Sequence, residues 1–481
     1  MIRKLTELYN TAASHFFTSA IERCDMSASD YDEREFLFEG TANIYRTGAN
    51  GKPEVQYADC EYTNRMSLRL PRDQRKCSGR VVVEIVNSTA NFDIDRVWAE
   101  SYRYIMRHGD IFVGITSKAN VFTALRTFDE RRYGTLNWPN PSSEPVPQDD
   151  TPPLWTGPQD QETGYIWDIL KDVSALLRDD ESDLNPLMGW KIRYVYLTGW
   201  SQSCSYITTF VSCFESPEDH AYDGYFSSGG VHRLWVPLNR YESVLEVDGL
   251  KKRLRQAPAP FIELNTESEA SDEAGMMGYT LRSEDSDDPD YRYRYFDIAG
   301  GCHDSVDTCM AYNAFDDDIA QAIGRHAQPV PGDNICRNNY RKFFAFHVAL
   351  QILYRWAEDG LVPPHFQRML QSSRGIIRKD AFGNSLGGLR TPMMNYPVCT
   401  YYHWSDLEDP ATGEIQRNVL AGHEVTFSVN VLKELYGDLE RYRMLVTEDA
   451  ERLVCEGHIL REDMQDAIEM AVSRAAEAGL L

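Results

Sequence analysis

Residues Lys191–Phe214, KIRYVYLTGWSQSCSYITTFVSCF, change their hydrophobic period in mid-stretch. The β-branched and aromatic run Arg193–Leu197 predicts a buried strand. Beyond Gly199-Trp200-Ser201-Gln202-Ser203, the residues Ile207, Phe210, Val211 and Phe214 fall at i, i+3, i+4 and i+7, one apolar face of a helix. A strand, a serine just past a glycine, and a helix in immediate succession are what a nucleophile elbow requires. There the chain reverses so sharply that the serine is strained and its hydroxyl stands clear, above a helix N-terminus that favours negative charge. The usual G-x-S-x-G ends here in Ser203, where a small residue is needed because strand and helix approach closely. The purely structural alternative is a serine capping a helix.

Working outward, Glu35–Tyr45 and Asn64–Leu70 are predicted strands. Arg80–Val86 (RVVVEIV) is a near-continuous apolar run, the mark of a strand covered on both faces. A helix with Ile94, Val97, Trp98 and Ile105 on one face follows, and then the buried strand Asp110–Thr116. That alternation implies parallel pairing through right-handed crossovers. Residues 136–163, rich in Pro, Asn, Asp and Gln, read as a surface insertion, and Tyr165–Leu177 as a helix. Asp223–Phe226, Pro260–Leu264 and Tyr291–Ile298 are further strands; residues 231–258 fit no period and read as a lid. The acidic run 267–290 lacks EF-hand spacing and reads as solvated loop. Residues 1–30 are expected to form a helical leader, 31–310 the α/β core, and 311–481 a mostly helical part packed on that core.

The 481 residues suffice for one large α/β domain with insertions, and 42% hydrophobic content supports a sizeable core. Lys and Arg number 49 against 74 Asp and Glu, a formal charge of −25, which disfavours nucleic acid and anionic membrane surfaces as partners. Ten scattered cysteines form no CxxC and no zinc-finger spacing, so they read as reduced thiols, with no metal site. The first residues lack the apolar core of a secretory signal, and no 18-residue apolar run occurs, so a cytoplasmic protein is expected.

Hydrolysis by serine needs a hydroxyl, an imidazole to take and return its proton, and a carboxylate to orient that imidazole. In one large fold these follow the order Ser, acid, His, each at the end of a strand. Ser201, the acidic loop after Pro260–Leu264, and His303 just past Tyr291–Ile298 meet that order. Glu269, farther into the loop, is favoured as the acid over the alternative Glu267. The oxyanion hole is expected from the backbone N–H of Gln202 and, from the loop after Arg80–Val86, that of Ser88, with Thr89 as the alternative. Trp200 and Arg390 are candidate substrate contacts; for Arg390 the structural alternative is a tight turn from which it ties the C-terminal third to the core by a salt bridge. Cys204 lies past the elbow, inside the helix, and is a distant rival nucleophile.

These blocks resemble the large bacterial α/β-hydrolase-domain family with a G-[YW]-S-Q-S elbow. VVVEIVN precedes a DIDRVW helix, RTFDERRYGTL starts at Arg126, a strand ends in TESE, and YRYFDIAGGCHDS follows from Tyr293. Trp356 with DGLVPP, DAFGNSLGGLRTP at 380–392 and YPVCTYY at 396–402 extend the resemblance over residues 35–475. Departures are Glu269, where the family commonly has Asp, and Cys204, where it often has Gly. The resemblance implies an α/β-hydrolase fold, a mostly parallel central sheet flanked by helices, with a lid and a C-terminal helical extension. It implies Ser201 and His303 as nucleophile and base, with the acid in the TESE loop. The expected activity is cleavage of a small-molecule carboxylic ester, with a lactone or thioester as alternatives, and no cofactor. The rival readings are an acyltransferase using the same acyl-enzyme and a non-catalytic binding protein on the same scaffold.

Overall fold

A computed structural model describes residues 1–18, 26, 28–144, 158, 160–230, 236–242, 254, 256–271, 283–306, 315–326, 338–408 and 413–481. The chain divides into two compact units. The first comprises Met1–Phe261, Ser286–Tyr293 and Ala311–Ala327; the second comprises Ile262–Asp285, Arg294–Met310 and Gln328–Leu481.

The first unit is built on a sheet whose strands are β1 (Ile2–Leu8), β2 (Tyr31–Thr47), β3 (Pro53–Pro71), β4 (Arg80–Val86), β5 (Ile111–Thr116), β6 (Tyr194–Trp200) and β7 (Gly224–Ser228). Their order is β1-β2-β3-β5-β4-β6-β7, continued by β8 (Ala257–Thr266), β10 (Tyr291–Ile298) and β9 (Ser286–Asp288). The centre β5-β4-β6-β7 is parallel, and β1, β2 and β3 are added antiparallel. Helices α1 (Arg96–His108), α2 (Ile166–Arg178) and α3 (Gln202–Phe214) flank the sheet. This is the expected fold class.

The apolar run of β4 sits between two parallel neighbours and is buried from Val81 to Val86. Glu84 interrupts that run for a local reason. Its carboxylate accepts the N–H groups of Val97 (2.9 Å) and Trp98 (3.0 Å), so the strand caps the first turn of the helix that follows it. Burial pushes the Glu84 carboxyl up to about 8. The RTFDERRYGTL block has a structural task of the same kind. Glu35 on β2 receives Arg65 (2.5 Å), Arg132 (2.5 Å) and the Tyr133 hydroxyl (2.7 Å), all buried. The second Arg65 branch meets Asp93 at 2.9 Å. Removing one member would leave a buried charge uncompensated.

The expected helical leader is corrected. Residues 2–8 form β1, paired from Ile2↔Gly40 to Leu8↔Glu35. Ile2, Leu5 and Leu8 mimic a helical period, but cross-strand pairs fix the segment as a strand: Lys4 with Glu39 at 2.5 Å, Glu7 with Arg34 at 2.7 Å. Residues 19–25 and 27 of that leader lie outside the described residues. So do 145–157 and 159 of the insertion, 231–235, 243–253 and 255 of the lid, and 272–282 of the acidic loop. The described lid residues are packed: Leu238 is buried with its carbonyl on Trp167 Nε1 (2.8 Å), and the Tyr241 hydroxyl accepts from Asn140 (2.7 Å).

The second unit centres on α4 (Phe343–Asp359), α5 (Val429–Tyr436), α6 (Leu439–Glu456) and α7 (Met464–Glu477), which share a core with Phe344, Leu432, Val446, Leu453 and Ala471. Two short antiparallel pairs accompany them, Cys399–Tyr402 with His423–Thr426 and Ser405–Glu408 with Ile415–Asn418. The boundary expected at residue 310 does not separate the units. The helix Asp316–Ile323 belongs to the first, where Gln321 bonds the Phe128 carbonyl (2.6 Å) and Asp318 meets His15 (3.0 Å). Among the described residues, no helix is long and apolar enough to cross a membrane.

Candidate active site

Ser201 joins β6 to α3 at φ 57° and ψ −120°. Among the described residues only Asp30, Asp59, Asn91 and Lys191 are other non-glycine residues with positive φ. A serine there is strained at a cost of about 1–3 kcal/mol, and such strain gathers at functional sites. Three contacts hold the turn. Ser201 N–H donates to the Ser228 carbonyl (2.9 Å), Cys204 N–H donates to the Ser201 carbonyl (3.0 Å), and Asn87 Nδ2 donates to the Trp200 carbonyl (3.1 Å).

Small residues let strand and helix approach. A Cβ on Gly199 would lie 2.8 Å from Ser203 Cβ and 3.2 Å from Ile207 Cδ1, so glycine is required before the elbow and a small residue after it. Gly230 likewise leaves no room for a Cβ against Cys204. Cys204 is buried, with its thiol 3.0 Å from the Ser228 carbonyl, and therefore serves packing in the first turn of α3.

Asn87 also shapes the loop after β4. Its Oδ1 accepts Thr89 N–H (2.9 Å) and the Thr89 hydroxyl (2.6 Å), which commits the alternative Thr89 N–H. The Ser88 carbonyl takes Asn91 N–H (3.0 Å) and Asn120 Nδ2 (2.9 Å). The Ser88 N–H has no acceptor among the described residues. Gln202 opens α3, where the first N–H groups of a helix have no acceptor within it.

The second unit brings His303 and Glu269 together, Nδ1 to Oε1 at 2.6 Å, both buried. The local cause is a capping box. Thr266 caps the helical turn Glu267–Ala270, its hydroxyl accepting Ser268 N–H, while Glu269 Oε2 reaches back to Thr266 N–H and hydroxyl, both at 2.7 Å. This leaves Oε1 for the histidine. Burial alone would raise the Glu269 carboxyl; the hydrogen bonds from His303 and Thr266 outweigh it and hold the group below its ordinary value. A carboxylate on Nδ1 fixes the tautomer with Nδ1 protonated and leaves Nε2 as the acceptor.

Glu267 points elsewhere. Its Oε1 accepts Gly300 N–H (2.6 Å) and the Ser385 hydroxyl, and its Oε2 meets Lys379 Nζ at 2.7 Å. His403 Nδ1 lies 3.5 Å from Oε2, at the limit of a hydrogen bond. Burial opposes ionisation, but Lys379 and His403 hold this carboxyl well below the ordinary range. It is a hub that ties the His303 loop to the glycine-rich block, whereas Glu269 alone of the two touches His303.

The two expected substrate contacts are both engaged within the chain. Trp200 is buried, its ring against Gly229 and under the Arg96 guanidinium at 5.4 Å. The Arg390 guanidinium is committed to the carbonyls of Ser385 (2.6 Å), Gly387 (3.3 Å) and Met394 (3.1 Å) and to Asn395 (2.5 Å). It clamps the turn through carbonyls rather than through a salt bridge. Sequence reasoning missed Ser268, whose hydroxyl accepts His303 N–H (3.0 Å), and Lys342, which bonds the His303 carbonyl (2.7 Å). Nothing local marks either one. The T-x-x-E spacing of Thr266 and Glu269 was the available signal for the capping box.

Comparison with known proteins returns solved structures at low identity. The siderophore hydrolase EstA from Aspergillus nidulans is 14% identical over 57% of this chain and 78% of its own, with a TM-score of 0.26. A serine hydrolase without lid from Xanthomonas campestris is 9% identical over 61% of this chain and 97% of its own, at 0.25. A CE15 glucuronoyl esterase from Teredinibacter turnerae is 11% identical over 69% and 70%, also at 0.25. No curated protein matches the chain. The model of a family described as alpha/beta hydrolase domain matches residues 5–469, nearly the whole chain, and the protein therefore belongs to that family.

Proposed function

We propose that the protein is a serine hydrolase that cleaves a small-molecule carboxylic ester. Ser201 is the nucleophile, His303 the general base and acid, and Glu269 the orienting carboxylate. The observation that carries this reading is the strained Ser201 between β6 and the N-terminus of α3. The His303–Glu269 pair supports it, because it leaves Nε2 as the proton acceptor. His303 Nε2 takes the hydroxyl proton as Ser201 Oγ attacks the ester carbonyl. The tetrahedral oxyanion is met by the N–H groups of Gln202 and Ser88. The proton passes to the leaving alcohol as the C–O bond breaks. Water then attacks the acyl-enzyme, giving its proton to His303, which returns it to Ser201 as the acid departs. Glu269 stays ionised and stabilises the imidazolium that forms in each half.

The test is covalent labelling by a fluorophosphonate together with turnover of p-nitrophenyl esters of graded acyl length. Wild type should label at Ser201 and hydrolyse at least part of the series. Ser201→Ala should do neither while keeping its fold. Undiminished turnover by that variant would remove the reading.

A further inference from the structure

Three residues follow one another at the carboxyl ends of neighbouring parallel strands. Val86 pairs with Thr116, and Ile85 pairs with Gly199. Ser88 and Lys118 therefore each lie two residues past a matched pair, and Ser201 lies two past Gly199. Lys118 just past β5, Ser88 just past β4 and Ser201 just past β6 therefore lie at the same end of the sheet. Side-chain contacts fasten that end: Ser117 Oγ donates to the Val86 carbonyl (2.6 Å), and Asn120 donates to the Ser88 carbonyl (2.9 Å). Strands lie about 4.8 Å apart, so two spacings put the Lys118 backbone roughly 10 Å from that of Ser201.

Lys118 is 2% exposed. Its ammonium has three donors, yet among the described residues it makes one hydrogen bond, a long one of 3.3 Å to Ser117 Oγ. Its other neighbour is the face of Tyr206 on α3, 4.4 Å from Nζ to the ring centroid, which attracts a cation but accepts no directed bond. The nearby Asp93 accepts Arg65 (2.9 Å) and Thr116 (2.5 Å) on its Oδ2 and makes no hydrogen bond with the ammonium. Burial pushes the Lys118 amine down to about 7, against the pull of Asp93. A buried cation whose neighbouring carboxylate is shared with Arg65 is costly, and its place beside the elbow gives it a use: an anion that arrives with the substrate would complete it.

We propose that Lys118 is the specificity-determining cation of this site, and that the preferred substrates are esters carrying a carboxylate within a few bonds of the scissile carbonyl. This deepens the serine hydrolase reading and rests on it. The substrate carboxylate replaces Ser117 as partner of the ammonium, and the attack by Ser201 is otherwise unchanged.

The experiment compares 4-nitrophenyl hemiglutarate with its neutral methyl ester, a pair that differs in one charge. For wild type, kcat/KM should favour the anionic ester by roughly 10- to 100-fold, the worth of one charge-assisted hydrogen bond. In Lys118→Met the ratio should fall toward one, whereas a purely structural lysine would lower both rates together and leave the ratio intact. A wild-type ratio near one overturns the assignment, and so does an unchanged ratio in the variant. Should Lys118→Met fail to fold, wild type alone decides: free glutarate must slow fluorophosphonate labelling of Ser201, with glutaramide as the uncharged control, and equal effects of the two overturn it. Labelling of Ser201 with no anionic preference removes the Lys118 assignment alone. Absence of labelling removes the hydrolase reading and this one with it.

Discussion

Glu269→Gln exchanges one oxygen for an amide at constant shape. In the native chain Oε1 meets His303 Nδ1 at 2.6 Å, and Oε2 accepts two Thr266 donors at 2.7 Å. Glutamine has only one acceptor oxygen, so each rotamer fails in its own way. With the oxygen toward His303, the amide N–H₂ faces the Thr266 N–H, and a buried donor is left unmet at about 1–3 kcal/mol. With the oxygen toward Thr266, the amide donates to Nδ1 and moves the imidazole proton to Nε2, the wrong tautomer for a base. Loss of the orienting charge in triads of this kind lowers kcat about 10⁴-fold, roughly 5.5 kcal/mol of barrier. Glu269→Gln should therefore lose kcat by that order with only a modest drop in melting temperature, measured on p-nitrophenyl esters and by thermal unfolding. Glu267→Gln should behave in the opposite sense. It leaves Lys379 without its carboxylate, with only the Ser385 hydroxyl (2.9 Å), and disturbs Gly300 and Ser385, so stability should fall by about 2–4 kcal/mol while turnover drops far less. If Glu269→Gln turns over at the wild-type rate, the acid is misassigned; if Glu267→Gln is the crippled enzyme, the roles are exchanged.

His303→Ala should lose activity to the degree of Ser201→Ala, and the double variant should lose no more, since the pair acts as a unit; additive losses in kcat would contradict this. Glu267 and Glu269 both titrate below their ordinary value when folded, so each adds stability above the unfolded carboxyl range, and that stability is lost as pH falls below about 4.5. Glu267→Gln should flatten the acid limb of a stability–pH profile, and an unchanged limb counts against the hub. Gly199→Ala places a Cβ 2.8 Å from Ser203 Cβ; it should cost about 1–3 kcal/mol and cut turnover by displacing the elbow, visible as lower melting temperature and kcat together. Alkylating the native protein with iodoacetamide should spare turnover, because Cys204 is buried; rapid inactivation that Cys204→Ala prevents would revive the thiol as nucleophile.

The sequence by itself determined what depends on near neighbours. The change of period across Lys191–Phe214 located β6, the elbow and α3, because side-chain alternation and helical repeat are local properties of the chain. The apolar run of β4 likewise announced a strand covered on both faces. Tertiary structure decided what depends on partners far along the chain. Residues 2–8 carry a helical-looking period, yet pairing with residues 35–40 makes them the edge strand β1. The partners of Trp200 and Arg390 are likewise set by the fold, Gly229 and Arg96 for the one and four residues of its turn for the other. The two glutamates of TESE are chemically alike and two residues apart. Only the helical turn after Thr266 separates them, sending Glu269 to His303 and Glu267 to Lys379 and Ser385, because the donors that claim each carboxylate come from segments more than thirty and more than a hundred residues away.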